Sequence, residues 1–398
     1  MKIEWISGTF HRMYPAPEFT PLAPGDSISV EFTCSGAVPK TSHAPEGIYW
    51  TSRTGAGKGS PLPVKQHVVP LEPTAAQTAA LDAIYKRYEY MKQFPQQDLC
   101  TYDILPSVKK AVPAKGEMII GSRIALSFPE SLAGEAGLLK EKLESVYGIE
   151  VTDRAEKGIV LEYLPENRKV PNDEYYELDI RPGRAVIRSR TPHGIFNGTQ
   201  TLLAMLKGQE GALRLQSVSI SDYPDLLYRG QMIDIARNFT TARDLKKMID
   251  IISSYKLNVL HLHFSDDEGW RLEIPGLEEL TETGSRRGHT EDEAGYLYPA
   301  YDNGYDPDAP TSGNGYYSRE EFIDLLRYAA ARHVQVIPEI ESPGHARAAI
   351  RAMKTRYDRY IASAPEKATE YMLHDPNDTS VYLLSLIHIS EPTRLDVI

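Results

Sequence analysis

Three short segments of the sequence combine titratable side chains with apolar residues. They read YRGQMIDIAR at 228–237, HLHFSDDEGWR at 261–271 and VIPEIESPGH at 336–345. Carboxylates, imidazoles and guanidinium groups at this density can transfer protons, bind a metal ion or bind sugar hydroxyl groups. They can equally form structural ion pairs. The spacing within each segment, and the elements that carry the segments, must therefore be considered together.

The two histidines of the second segment are spaced for a common site. His261 and His263 lie two residues apart, so both point to one face of a strand, as in the H-x-H pairs of metal hydrolases. Asp266 and His345 could complete a metal shell. The spacing fixes no third ligand, however, and hydrogen-bonded histidines also occur as packing residues inside barrels. A metal site, a sugar site and a salt-bridged strand end all stay open on the residue pattern alone.

The elements that carry these segments alternate between strand and helix. Apolar patterns predict strands at 229–236, 257–264 and 334–341, a helix at 240–256 and a second helix from Ser318. A β-α-β-α-β series implies parallel strands, so the strand ends would meet at one edge. A doubly wound sheet and a (β/α)₈ barrel are the alternatives. No glycine-rich phosphate turn follows a strand, and the charged residues cluster at strand ends, which favours the barrel.

The fold class predicted for the chain is α/β, with an incomplete (β/α)₈ TIM barrel preceded by a small α+β domain and a partial β-sandwich module. The predicted parts are a partial β-sandwich at 1–75, a linker helix at 76–102, an α+β domain at 103–224, the first part of the barrel at 225–383 and a foreign tail at 384–398. In the α+β domain, a helix at 134–151 is expected to bury Leu138, Leu139, Leu143 and Val146 on one face.

Composition excludes some classes of function. The net charge of −11 disfavours non-specific binding to nucleic acid and to anionic membranes. No stretch approaches the ~18 apolar residues that a membrane span needs, and MKIEWISGTF lacks the apolar run of a signal peptide. Cys34 and Cys100, the two cysteines of the chain, cannot define a disulfide framework.

Taken together, the segments resemble the β-N-acetylhexosaminidases of glycoside hydrolase family 20. The resemblance rests, in order and spacing, on YRGxxxDxAR (228–237), KLNVLHLHxxDDxxWRxEI (256–274), TETGSRR (281–287), YSREE (317–321) and VIPEIESPGH (336–345). It covers about 225–382. Residues 103–222 are similar to the small α+β domain that precedes the barrel in this family, and the N-terminal segment more loosely resembles the β-sandwich module of chitobiase-type members.

The resemblance implies a pocket for a terminal N-acetylglucosamine or N-acetylgalactosamine. Arg229 would grip the 3- and 4-hydroxyls of the sugar, and Asp266 and His345 would form a pair that hydrogen-bonds toward the catalytic acid. Glu341 would bind substrate, although its position is commonly Asp in the family. Asp234, Arg237 and Trp270 fit better as scaffold. The implied partner is a glycan ending in N-acetylhexosamine, with no cofactor, metal or nucleic acid.

The resemblance also implies substrate-assisted retention, in which the acetamido oxygen of the substrate attacks C1. A glutamate protonates the leaving oxygen, and the aspartate just before it orients the acetamide. That Asp-Glu pair is expected some tens of residues after His345, yet no Asp-Glu dipeptide follows Glu293, and Asp292–Glu293 falls in a long loop. We therefore expect a chain that is truncated before its acid and is itself inactive.

Two other functions are compatible with the sequence. The chain could be a non-catalytic carbohydrate-binding protein, or a metal-dependent hydrolase that uses His261, His263 and Asp266. The resemblance places a full-length parent in the periplasm, outside the cell or in lysosomes. The preferred sugar, the aglycone and the oligomeric state stay open.

Overall fold

The structure is a computed structural model. It describes residues 1–7, 10–31, 47–51, 59–65, 67, 73–94, 104–154, 158–208, 213–301, 304–342 and 344–370. The foreign tail predicted at 384–398, and both cysteines, lie outside these residues.

The N-terminal region contains two small antiparallel sheets and one helix among its described residues. Strands β1 (Lys2–Ser7) and β2 (Phe10–Tyr14) pair with each other, as do β3 (Tyr49–Trp50) and β4 (Ser60–Pro61). Helix α1 (Ala75–Lys92) begins with a capping box between Thr74 and Gln77. It overlaps the range expected for the linker helix and begins one residue before it. The β-sandwich module stays a prediction, because 32–46 and 52–58 are not described.

The middle of the chain forms a seven-stranded mixed sheet in the order β5-β11-β9-β10-β8-β6-β7. Its strands are β5 (Lys110–Ile120), β6 (Arg123–Ser127), β7 (Glu150–Thr152), β8 (Gly158–Tyr163), β9 (Tyr176–Arg181), β10 (Arg184–Ser189) and β11 (Leu213–Asp222). Helices α2 (Ala133–Ser145) and α3 (Pro192–Met205) pack against this sheet and against each other.

Helix α2 shows how far apolar spacing predicts burial. Leu139 and Leu143 are fully buried in the core of this sheet, as predicted. Val146 is 62% exposed, so its predicted burial is wrong. The reason is that α2 ends at Ser145, and Val146 is the residue that follows the last turn rather than part of the helical face.

The C-terminal region begins a strand–helix repeat around a three-stranded parallel sheet in the order β12-β13-β16. Its elements are β12 (Gly230–Asp234), α4 (Ala242–Ser254), β13 (Val259–His263), β14 (Ser265–Asp266), β15 (Gly269–Trp270), α5 (Glu279–Glu282), α6 (Arg319–Ala330), β16 (Gln335–Glu339), α7 (Arg347–Tyr360) and α8 (Pro365–Thr369). The capping box predicted at Ser318 and Glu321 is confirmed at the start of α6.

Strand β13 separates an apolar layer from a polar one. Leu260, Leu262 and Phe264 face the core formed with α4 and α6. His261 and His263 occupy the alternate positions, so they point to the opposite face, which would be the inside of a barrel. Within the described residues the three strands do not close into a barrel. None of the described helices has the length and apolar character of a membrane span.

Two charged contacts fasten the C-terminal region to the seven-stranded domain. The guanidinium of Arg229 donates from Nη1 and Nη2 to the two carboxylate oxygens of Glu174, at 3.1 and 2.5 Å. The ammonium of Lys256 donates to Asp222 Oδ2 and to the hydroxyl of Tyr176, each at 2.9 Å. Lys256 and Asp222 are both buried. Because a buried charge must be paired, these contacts fix how the two domains meet.

Replacement of Lys256 tests this junction. Lys256→Met removes the cation but leaves the Asp222 carboxylate buried, so we expect the free energy of unfolding to fall by about 3 kcal/mol. The control is Lys247→Met, because Lys247 pairs with Asp244 on the same helix with 64% of its side chain exposed. Its loss should cost at most about 0.5 kcal/mol. Urea unfolding followed by circular dichroism measures both, and equal losses would contradict the junction's role.

Candidate functional site

The three parallel strands end at the same level. In the strand pairing, Asp234 is opposite His263, and His263 is opposite Glu339. The segments that follow these strand ends carry the other titratable groups of the three sequence segments. Parallel strands place their C-terminal ends on one edge. The three sequence segments therefore converge, as predicted, through the residues that follow each strand.

Asp266 lies at the centre of this edge with a side chain that is 1% exposed. Its Oδ2 is 2.9 Å from His263 Nε2 and 2.6 Å from Arg237 Nη2. Its Oδ1 is 3.0 Å from His345 Nδ1 and accepts the backbone N–H of Asp267 at 2.6 Å. Burial alone would raise the pKa of Asp266, but the hydrogen bond from His263 and the nearby cations outweigh burial and lower it. Asp266 is therefore a buried carboxylate with both oxygens bonded.

His263 joins Asp266 to a second pair of carboxyl groups. Its Nδ1 is 3.2 Å from Glu339 Oε1 and 3.8 Å from Glu341 Oε1. The ring N–H is not directed at the nearer oxygen, so this contact is an ion pair rather than a hydrogen bond. The hydrogen bond with Asp266 outweighs burial and, together with Glu339, raises the pKa of His263 to about 9. His263 is thus an imidazolium at neutral pH.

The carboxyl groups of Glu339 and Glu341 differ in how readily they ionise. Burial would raise the pKa of both, but the neighbouring Glu341 and the positive charge of His263 lower the pKa of Glu339. Burial and the neighbouring Glu339 raise the pKa of Glu341. His261 Nε2 also approaches Glu339 Oε2, at 2.7 Å. Two carboxyl groups so close cannot ionise independently, so Glu341 is the one that holds a proton more readily.

Arg237 is the arginine that the structure brings to this edge. Its guanidinium pairs with Asp234 at 2.6 Å, with Asp266 at 2.6 Å and with Glu268 at 3.7 Å, and it is 30% exposed. Burial and the negative charge of Asp266 raise the pKa of Glu268 to about 7. The sequence assigned Arg237 and Asp234 to the scaffold and did not single out Glu268. All three lie at a strand end or within three residues after one, and this position was the signal that could have identified them.

A second arginine, Arg271, organises the backbone around the site. It is fully buried, and its guanidinium donates to five carbonyl oxygens at 2.7 to 3.2 Å, those of Ile235, Ala236, Ser285, Gly313 and Gly315. Burial lowers its pKa to about 9. Because these carbonyls belong to three separate segments, Arg271 holds the end of β12 against the loops that follow β15.

The site residues predicted from the sequence fall into two groups. Asp266 and His345 are in hydrogen-bond contact, and Glu341 lies beside them near His263. Arg229 is elsewhere, because it precedes β12 and is bound to Glu174, to the Lys256 carbonyl at 2.8 Å and to the Leu226 carbonyl at 2.6 Å. Five residues of strand separate it from the edge, roughly 17 Å. The structure thus separates Arg229 from the other predicted site residues, and its substrate-binding role stays a prediction.

The metal ligands suggested by the sequence are divided between two clusters. His263 lies with Glu339 and Glu341, whereas Asp266 lies with Asp267 and His345, and within each cluster the donor atoms are within 4.8 Å of one another. The ring of His261 faces Glu339 rather than Asp266. The set of His261, His263 and Asp266 does not form a common shell, since His263 and Asp266 use their facing atoms to bind each other.

Parallel strands with helices between them, and polar residues gathered where the strands end, define an α/β protein. The sequence model of the glycosyl hydrolase family 20 catalytic domain matches residues 226–385, and that of domain 2 of the same family matches residues 101–223. The chain belongs to glycosyl hydrolase family 20. This confirms the family inferred from the sequence segments.

Relatives and solved structures agree with this assignment. The chain is 32% identical to N,N'-diacetylchitobiase of Vibrio harveyi over 95% of its own length and 44% of that protein's. It is 29% identical to β-hexosaminidase of Vibrio vulnificus over 98% and 48% of the two lengths. The chain thus spans about half the length of the curated relatives it matches.

Among solved structures, the exo-β-N-acetylglucosaminidase of Vibrio harveyi in complex with N-acetylglucosamine matches with a TM-score of 0.58 and 28% identity, over 65% of this chain and 39% of that one. The N-acetyl-β-hexosaminidase of Streptomyces plicatus matches with a TM-score of 0.53 and 28% identity, over 66% and 50%. These neighbours imply a TIM-barrel fold with a preceding domain.

Replacement of Arg229 tests whether this residue links the two domains rather than binding the sugar. Arg229→Met leaves Glu174 buried without its cation, so the free energy of unfolding should fall by about 3 kcal/mol. Arg243→Met is the control, because the Arg243 side chain is 81% exposed. Urea unfolding measures stability, and titration calorimetry measures N-acetylglucosamine binding. Lost sugar binding with unchanged stability would support the original prediction.

The stability of the protein should depend on pH through His263. A folded-state pKa of about 9 against an ordinary 6.5 corresponds to about 3 kcal/mol of stabilisation. Because the folded-state pKa is raised, this contribution is fully present below pH 6.5 and disappears as the pH rises through about 9. The difference in unfolding free energy between wild type and His263→Gln should shrink over that range. A difference that stays constant from pH 6 to pH 9.5 would refute the assignment.

Proposed function

We propose that this chain is part of a glycoside hydrolase that removes terminal β-linked N-acetylhexosamine residues from glycans or chitooligosaccharides. The hydrogen-bonded pair of Asp266 and His345 at the strand edge carries the proposal. The names of the relatives support it, since they are a diacetylchitobiase and a β-hexosaminidase. A neighbour solved with N-acetylglucosamine supports the class of sugar.

In this proposal Asp266 acts through His345. The carboxylate accepts from Nδ1 of the imidazole, which fixes the ring so that Nε2 is directed away from Asp266. A group held in this way can bond to a catalytic acid and control when that acid gives up its proton. Asp266 and His345 are thus positioning residues. Arg237, partly exposed among three carboxylates, is the group at this edge that can donate to substrate hydroxyls.

The catalytic acid is the part of the mechanism that these residues do not supply. Among the described residues, Asp292–Glu293 is unsuited to the role, because Glu293 is buried between Arg347 and Arg351, at 2.7 and 2.9 Å. We propose that the Asp-Glu pair of the substrate-assisted mechanism lies on a barrel strand beyond the three described here, and that the barrel of this chain is incomplete.

Hydrolysis of paired aryl glycosides tests the proposed function. The protein that carries this chain should release p-nitrophenol from p-nitrophenyl N-acetyl-β-glucosaminide. It should leave p-nitrophenyl β-glucoside intact, because that substrate has no acetamido oxygen to attack C1. Equal hydrolysis of both would contradict the substrate-assisted mechanism, and hydrolysis of neither would contradict the activity. Unchanged rates after treatment with a chelator would remove the metal-dependent alternative.

Replacement of Asp266 tests its place in that activity. Asp266→Asn keeps the size of the side chain but removes the charge that orients the His345 ring, so kcat should fall by about 100-fold with a smaller change in KM. Asp244→Asn is a matched control, because Asp244 lies in the first turn of α4 and bonds Lys247 and Thr241. Steady-state kinetics measure both variants. A wild-type kcat in Asp266→Asn would exclude the supporting role.

A second candidate function is carbohydrate binding without catalysis. It is favoured by one observation: the described strand edge carries ligand-type groups but not the Asp-Glu pair of the substrate-assisted mechanism. Binding of N-acetylglucosamine by the 398-residue chain, measured by calorimetry, together with no hydrolysis by the protein that carries it, would favour this candidate.

A further inference from the structure

We propose that His263 is a further positioning residue of this site, held as an imidazolium between Asp266 and Glu339 so that the Asp266 carboxylate keeps the orientation that binds His345. This inference deepens the proposed function and rests on it for its consequence in catalysis. The geometry of the three strand ends carries it independently of any turnover.

His263 lies at a position from which its side chain joins two strand ends. It is the last residue of β13, the central strand of the three, and it is 5% exposed. Its Nε2 bonds Asp266 on the segment after β13, and its Nδ1 faces Glu339 at the end of β16. Both ring nitrogens therefore face carboxylate oxygens. Only the protonated ring donates to Asp266 from Nε2 and at the same time presents a positive charge to Glu339 from Nδ1.

The surrounding charges favour that protonated form. The titratable groups that face His263 are Asp234 from β12, Asp266 from β14, Glu339 from β16, Glu341 after β16, and His261 on its own strand through Glu339, with Arg237 on the far side of Asp266. Carboxyl groups outnumber cations around the ring, and burial strengthens each attraction. The hydrogen bond with Asp266, with the charges of Glu339 and Asp234, raises the pKa of His263 against the desolvation that lowers it.

The two oxygens of the Asp266 carboxylate bond different partners. Oδ2 is taken by His263 and Arg237, which leaves Oδ1 for His345 and the Asp267 backbone N–H. With His263 neutral or absent, Oδ2 would lose a charged donor and the carboxylate could turn. His345 would then lose its fixed partner. The effect of His263 on the reaction is thus expected to pass through Asp266 to His345.

The protonation of the histidine rings can be measured directly in the 398-residue chain. In the chain labelled with ¹⁵N-histidine, and with ring signals assigned through bonds in the wild type, long-range ¹H–¹⁵N spectra distinguish imidazolium from each neutral tautomer. We expect His263 to stay doubly protonated up to at least pH 8. A neutral His263 ring at pH 7 would overturn the proposal. This titration needs no variant to fold and no activity.

A pair of variants tests the link from His263 to His345. His263→Gln should move the ring ¹⁵N signals of His345, whereas His261→Gln, two residues earlier on the same face and in contact with Glu339 but not Asp266, should leave them in place. Unmoved His345 signals in a folded His263→Gln variant would overturn the positioning role.

Kinetics provide the corresponding readout of the reaction. In the hydrolysing protein, His263→Gln should lower kcat about tenfold or more while KM changes less than about threefold, because the ring does not touch substrate. An unchanged kcat would overturn the catalytic consequence. If wild type shows no hydrolysis, the proposed function fails, yet the ring spectra still decide whether His263 positions His345. The two failures are therefore distinguishable.

Discussion

An ionised carboxylate can be buried only where the protein replaces the water that it loses. Asp266 meets this condition with hydrogen bonds or ion pairs from two histidines, one arginine and one backbone N–H. These four partners come from three places in the chain, so the burial of one side chain requires the ends of β12 and β13 and the segment after β16 to lie at fixed positions. Buried backbone carbonyl groups also need hydrogen-bond donors, and Arg271 donates to five of them. These bonds hold the surrounding loops to the end of β12.

The charged side chains at the two ends of the parallel strands have different roles. At the N-terminal end, Arg229 and Lys256 bond carboxylates of the seven-stranded domain, together with backbone carbonyls and the hydroxyl of Tyr176. At the C-terminal end, the charged groups are only partly satisfied by one another, and Arg237 and His345 are about one-third exposed. This division follows the general organisation of TIM barrels, in which one face provides stability and the other provides chemistry.

The sequence predicted this division well wherever a local pattern determines the structure. Alternation along β13 predicted the polar and apolar faces, and the spacing of Ser318 and Glu321 predicted the start of α6. Asp266 and His345 were predicted as a pair through family resemblance, 79 residues apart in the chain. The role predicted for Arg229 came from family resemblance, although Arg229 begins the strand predicted at 229–236. Its contact with Glu174 depends on how two domains meet, so no local pattern could predict it. The bridging role of His263 was missed for a similar reason, since it depends on the register between β13 and β16.

The central claim is that the carboxyl ends of β12, β13 and β16 form a sugar site organised by Asp266. A crystal structure of the protein with N-acetylglucosamine tests it most directly. The account predicts that the sugar lies at this edge, with its hydroxyls within hydrogen-bond distance of Arg237 and with the Asp266–His345 contact intact. A sugar bound at the opposite end of the strands, beside Arg229 and Glu174, or an edge that stays empty at saturating sugar, would contradict it.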